Sequence, residues 1–239
     1  MKKAYTLSTI LEPRNLAMSK NISAYEPLLD QCEAVSGQTE ELAGLDCCHI
    51  QQLVTDIVPA NWETADYELA SVSELVDALL IHHSLANGSI NRISALFELV
   101  LKTHGESYPD LEYLSVLFNF LANELQPLML REERVVFPLA VRLEKAAEFG
   151  LNSLLSPFAS LQNPLRTTAA AREIFRNLFN DLRLAMSNFD LPINACAGHS
   201  LLYAAVRALH RNIEDHFQLE QKLLYSRAFK MEATINRHG

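Results

Sequence analysis

Apolar residues recur along most of this chain at alternating three- and four-residue steps. One stripe runs Val76, Leu79, Ala86, Ile90, Ile93, Phe97, Val100; a second runs Leu121, Leu125, Leu128, Val135, Leu139, Leu143; a third includes Leu202, Val206, Leu209, Ile213 and Leu223. Residues three and four apart lie above one another on a helix, so each stripe predicts a helix with one buried face. The pattern places helices at about 72–103, 111–147 and 199–230, with a less regular segment at 151–187. Pro127 and Pro138 are expected to kink or interrupt the second helix, and Asn163-Pro164 to break or restart the third segment, because proline cannot continue the helix hydrogen-bond ladder. The loop 188–198 contains Pro192. Period-2 alternation is nowhere sustained, and no internal repeat is present. Four long helical segments with short connections imply an all-α, antiparallel four-helix bundle over residues 66–239. Residues 14–58 give two short helical patterns around Gly37 and Gly44, and a linker follows at 59–67. A small N-terminal helical domain is therefore expected at 1–65.

Each stripe is interrupted by polar residues at core positions. His216 and Glu220 break the last one, Glu132 breaks the second, and His83 and His104 stand in register with the first. His216 and Glu220, four apart, converge on one point of a helix face. A bare carboxylate in an apolar core costs several kcal/mol, so Glu132 and Glu220 call for a proton, a cationic partner or a metal. Inward His and Glu at such spacing are how helix bundles hold metal ions. Chance supplies about 0.7 His-x-x-x-Glu pairs in a chain of this composition. The other such pair, His210/Glu214, turns away from His216 and reads as a solvated surface pair. Taken singly, His83 and His104 also fit satisfied core or helix-end histidines.

Bulk numbers narrow the function classes. The 239 residues suffice for one sizeable core and a smaller appended unit. A net charge of −9, with no basic cluster reversing it, argues against a nucleic-acid or anionic-membrane partner. The first 20 residues lack the continuous apolar run of a signal peptide, and no stretch approaches the ~18 apolar residues of a membrane span. Cytoplasmic location and reduced thiols are expected for Cys32, Cys47, Cys48 and Cys196. Adjacent cysteines do not easily reach disulfide geometry, so Cys47-Cys48 suits soft-metal or thiol chemistry, or two small buried hydrophobes. No phosphate-binding glycine loop or nucleophile motif is present, and no conventional enzyme class is indicated.

Several short stretches together resemble the repair-of-iron-centres family, in which a small N-terminal domain with a Cys-Cys pair precedes a hemerythrin-like bundle holding two irons. Leu45-Asp46-Cys47-Cys48 is similar to the Cys-Cys motif; Asn61-Trp62 and Ser73-Glu74-Leu75-Val76-Asp77 resemble the linker and first bundle helix. Thr103-His104-Gly105 resembles the end of that helix, Glu132 to Pro138 the segment with a bridging glutamate, and Asp215 to Glu220 the final Asp-His-x-x-x-Glu motif. The resemblance implies iron, in a di-iron centre, with Glu132 and Glu220 bridging and His83, His104 and His216 as ligands. It implies Cys47 and Cys48 as thiols handling iron or nitric oxide, and damaged iron-sulfur proteins as partners. A homodimer is compatible with this reading. The first-helix ligand falls on Ser84 or, one residue earlier, on His83.

The ligand set departs from the family. Leu128 stands where a His precedes the first bridging Glu, no His lies between His104 and His199 to serve the third helix, and His49-Ile50 follows the Cys pair in place of Gly-Gly. Two functions follow: an iron-binding stress protein that restores iron-sulfur clusters after nitric oxide or oxidative damage, or a metal-free homologue serving as a binding or regulatory module, its carboxylates neutralised by protonated histidines. A plain bundle with Glu132 at an interface is the third possibility.

Overall fold

A computed structural model describes residues 67–150, 160–192, 195 and 197–238. The expected N-terminal domain, with Cys47 and Cys48, lies outside the described residues.

The first helix, α1 (Val72–His104), starts where its orphan amides are fully served. Ser71 Oγ accepts from the Glu74 N–H at 3.1 Å, and the Glu74 carboxylate accepts from the Ser71 N–H at 2.7 Å. From across the bundle, Glu144 accepts from the N–H groups of Val72 and Ser73 at 2.6 and 3.0 Å and from the Ser73 hydroxyl at 2.5 Å. Arg227 ties down the entry by donating to the carbonyls of Tyr67, Glu68 and Ala70.

The second rod runs on past both prolines, its α-helix interrupted by one π turn just ahead of Pro138. It consists of α2 (Asp110–Arg131), a π turn at Glu132–Val136, and α3 (Phe137–Phe149), which Gly150 ends at φ 62°. Pro127 lies inside α2, and Pro138 lies in the first turn of α3. In the π turn the Phe137 N–H reaches back five residues to the Glu132 carbonyl. That wider turn absorbs the mismatch that a proline ring imposes on a regular helix.

The third rod, α4 (Gln162–Ala185), carries Pro164 in its first turn, where a missing N–H costs nothing. Asn163-Pro164 therefore stands at the start of a helix, the restart that the sequence allowed. Ser187, Asn188 and Phe189, with φ of 50°, 59° and 69°, reverse the chain. The last rod joins α5 (Ala197–Leu219), a second π turn at Glu220–Tyr225, and α6 (Ser226–His238).

The rods pack as an antiparallel bundle around two apolar clusters. At one end, Leu75, Val76 and Leu79 of α1 meet Phe137, Ala140 and Leu143 of α3, with Leu224 and Ala228 of the last rod. At the other, Ile93, Phe97 and Val100 meet Leu114, Phe118 and Leu121 of α2, Phe175 and Phe179 of α4, and Leu202 and Leu209 of α5. The start of α1 thus lies beside the ends of the second and fourth rods, as the up-down-up-down order requires. Each large side chain buried here contributes ~1.5–3 kcal/mol of transfer free energy. The clusters stop at Leu79 and Ala86 on α1, at Met129 and Val136 on the second rod, and at Phe217 and Leu219 on the fourth. Between them lies a buried polar layer. Among the described residues, no helix is long and apolar enough to cross a membrane.

Candidate metal centre

All four rods send ionisable side chains into that layer: His82 and His83 from α1, Glu132 from the π turn after α2, Arg172 from α4, His216 from α5 and Glu220 from the second π turn. Glu132 and Glu220 are fully buried, and His83 and His216 are nearly so. Each carboxylate opens a π turn, a local widening that recurs at functional sites.

His83 Nε2, His216 Nε2 and Glu132 Oε2 form a triangle with edges of 3.3, 3.4 and 3.6 Å. Among the described residues, these three side chains are the group able to hold a metal through one ligand atom each. Three vertices of a tetrahedron around an ion with bonds of about 2.0–2.2 Å stand ~3.3–3.6 Å apart, so the spacing suits one bound ion. On the far side of its ring, His83 Nδ1 lies 2.7 Å from Glu133 Oε1. A carboxylate only accepts, so in the neutral ring the proton sits on Nδ1 and the Nε2 lone pair faces the triangle. Glu132 Oε2 also turns a lone pair inward and has no close hydrogen-bond donor. Lone pairs this close repel unless a cation, either a metal or a proton on His216, stands among them.

The other half of the layer centres on Arg172. Its Nη2 donates to Glu132 Oε1 at 2.8 Å, to Glu220 Oε2 at a shorter distance, and to the Tyr225 hydroxyl oxygen at 2.5 Å. Tyr225 in turn donates to Glu220 Oε1 at 2.8 Å. The guanidinium carbon sits 4.9 Å from the Phe217 ring and 5.1 Å from the Tyr225 ring, within cation–π range. Glu132 therefore divides its oxygens, one towards the imidazoles and one towards the guanidinium. Burial works against the charge of Glu132, but the imidazoles of His216 and His83 and the guanidinium of Arg172 outweigh it and hold the carboxyl well below its usual range. Burial likewise opposes charge on His216, yet Glu220 and Glu132 raise it to about 9.

Of the residues expected from sequence, His83, Glu132, His216 and Glu220 come together. His83 rather than Ser84 faces the layer, since Ser84 is exposed. His104 does not join them. It is the last residue of α1, 21 positions beyond His83, which places it ~31 Å along the axis at the other end of the bundle. There its ring lies 5.5 Å from that of His199. The helical stripe fixed its face correctly, but its height excludes it as a ligand. His210 still feels the charge of Glu214 but is not a solvated side chain: it is half-buried and stacks on Phe179 at 3.9 Å, while Glu214 pairs with Arg176. Leu128 is buried in the apolar cluster.

Sequence reasoning missed Arg172 and Tyr225. Arg172 had a weaker form of the signal of Glu132: Leu165, Thr168, Arg172, Phe175, Phe179, Leu182 and Met186 keep three- and four-residue steps, with two polar residues in succession, Thr168 and Arg172. Tyr225 had none, because five residues after Glu220 a regular helix points it about 140° away. Only the π turn returns it to the same face.

No family model matches the chain. It is 23% identical over 166 residues, covering 70% of its own length and 94% of the relative's, to the iron-sulfur cluster repair protein DnrN of Neisseria gonorrhoeae. With the iron-sulfur cluster repair protein YtfE of Edwardsiella ictaluri it shares 23% over 185 residues, 77% of this chain and 78% of that one. With the protein of that name from Escherichia coli (strain K12 / DH10B) it shares 21% over 169 residues, 70% of each. The chain is a distant relative of the iron-sulfur cluster repair proteins.

Proposed function

We propose that this protein binds one metal ion, iron, through His83, Glu132 and His216, and serves the repair of iron-sulfur clusters damaged by nitric oxide or oxidants. The observation that carries the reading is the buried triangle of ligand atoms, with His83 oriented by Glu133. Two imidazoles and one carboxylate on one side of an ion are the donor set of non-haem iron(II) sites with open positions. Bound there, iron would supply redox chemistry, open coordination positions and an ion that can be handed on. The chain's own residues orient the ligands and exclude bulk water. Glu133 fixes the tautomer of His83, Phe137 stacks on that ring at 5.4 Å, and Arg172 holds the far oxygen of Glu132. Cys47 and Cys48, as thiols, would receive or deliver iron. Iron-sulfur proteins are the partners that this role requires.

The test is reactivation of an iron-sulfur enzyme inactivated by peroxide or nitric oxide, with the iron-loaded protein added under anaerobic conditions. Recovery of activity above that given by free ferrous ion, lost in His83→Ala and Glu132→Ala, is expected. Equal recovery with those variants would contradict the reading.

One observation favours a second reading, a metal-free binding module. With His216 protonated, Arg172 and His216 balance Glu132 and Glu220, so the layer is neutral without a metal. On that reading, chelators leave the melting temperature unchanged. A ligand that binds only the folded state stabilises it by linkage, so a large loss on chelation supports the metal centre.

A further inference from the structure

The layer holds two carboxylates, of which the metal-binding triangle uses only Glu132. In bundles that hold a pair of ions, carboxylates and imidazoles project inward from all four helices. We propose that here Arg172 stands in the place of a second metal ion, so that the centre takes one ion and a fixed organic cation where it would otherwise take two ions. The first ion is that of the proposed function, and the inference rests on that reading only for its position, not for the role of Arg172.

Three features of the layer point this way. First, three oxygens from two elements, Glu132 Oε1, Glu220 Oε2 and the Tyr225 hydroxyl, converge on one Nη2 atom. That nitrogen has only two protons to share among three acceptors, so the oxygens surround it as ligands surround a cation. Second, Glu132 bridges from the imidazole pair to the guanidinium, one oxygen to each, as a carboxylate bridges two cations. Third, α4 is the one long rod whose only charged side chain in the layer is a cation, and it supplies no imidazole or carboxylate there. The positive charge is thus covalently part of the chain, and neither chelation nor oxidation removes it. Two carboxylates and a phenol are oxygen donors suited to manganese(II) or iron(II), so removing the side chain should open a place that such an ion can enter.

The experiment counts metal per chain by mass spectrometry, after anaerobic equilibration with manganese(II) and separately with iron(II). It compares the unaltered protein with Arg172→Ala, Arg172→His and Arg172→Lys. Arg172→Ala and Arg172→His are expected to hold one ion more than the unaltered protein, and Arg172→Lys the same number. Manganese(II) should raise the melting temperature of Arg172→Ala more than that of the unaltered chain. Should Arg172→Ala fold only when refolded with manganese(II), that dependence supports the inference equally; a variant that neither folds nor is rescued by the ion overturns it. Equal counts in the unaltered protein, Arg172→Ala and Arg172→His overturn it, as do two ions in the unaltered protein. An unaltered protein with no ion sinks the first-ion reading alone, because the difference of one between variant and parent still reports on Arg172.

Discussion

Arg172 Nη2 donates to Glu132 Oε1 at 2.8 Å, joining the third rod of the bundle to the second at a point where both side chains are buried. The guanidinium compensates a carboxylate that also faces two imidazoles, and it does the same for Glu220. Breaking such a buried pair by removing one partner typically costs ~3–5 kcal/mol, because the remaining charge is left unpaired. Metal-free Arg172→Met should therefore lose about that much in urea denaturation; a loss below ~1 kcal/mol would mean that the carboxylates find other compensation.

Glu133 is one-third exposed and touches His83 at 2.7 Å, so its role is to orient rather than to stabilise. Outer partners of metal-binding histidines are typically worth a 10- to 100-fold change in affinity. Glu133→Gln should weaken metal binding by that range while moving the melting temperature little. His104→Ala, at the other end of α1, should leave metal affinity unchanged. Titration against a competing chelator measures both.

The pH dependence follows from two shifts of opposite sign. His216 is raised to about 9 by Glu220 and Glu132 despite its burial, so its contribution to the metal-free fold is complete below ~6.5, the unfolded value, and is lost as pH rises towards 9. Glu132 is held low, so its contribution is present above ~4.5 and is lost as the pH falls through its depressed value. Metal-free protein should accordingly lose stability between pH 7 and 9, and His216→Gln should not show that loss. Because a metal displaces the His216 proton, binding at pH 7 should release about one proton. Calorimetry in buffers of different ionisation enthalpy detects it.

Glu144 caps α1 from across the bundle with three short contacts, far in sequence from the helix start it serves. Glu144→Ala leaves the buried Val72 N–H and the half-buried Ser73 donors without their acceptor and should cost ~1–3 kcal/mol by urea denaturation. Metal stoichiometry should not change, which separates fold from site.

Much of this arrangement was legible in the chain because helical spacing reports which face a residue occupies. Glu132, His216 and Glu220 stood out as charges on apolar stripes, and the stripe favoured His83 over Ser84. A shared face is not a shared site: His104 stands 21 positions beyond His83, ~31 Å along α1, a height that residue number alone gives. Arg172 escaped because Thr168 before it is also polar, so two consecutive stripe positions broke the apolar run. The π turns have no residue pattern of their own, and with them the convergence of Glu220 and Tyr225 was hidden. Pro127 and Pro138 suggested a kink or interruption, and the interruption takes the form of the π turn at Glu132–Val136, which lets the rod continue past Pro138.

The most direct measurement is metal content by mass spectrometry of protein purified anaerobically from iron-replete cells, alongside Glu132→Ala. One iron per chain in the unaltered protein, as three ligands converging on one point imply, and its loss in the variant are the expected result. Absence of stoichiometric metal after anaerobic loading of folded protein, or an unchanged content in Glu132→Ala, would contradict a metal centre at His83, Glu132 and His216.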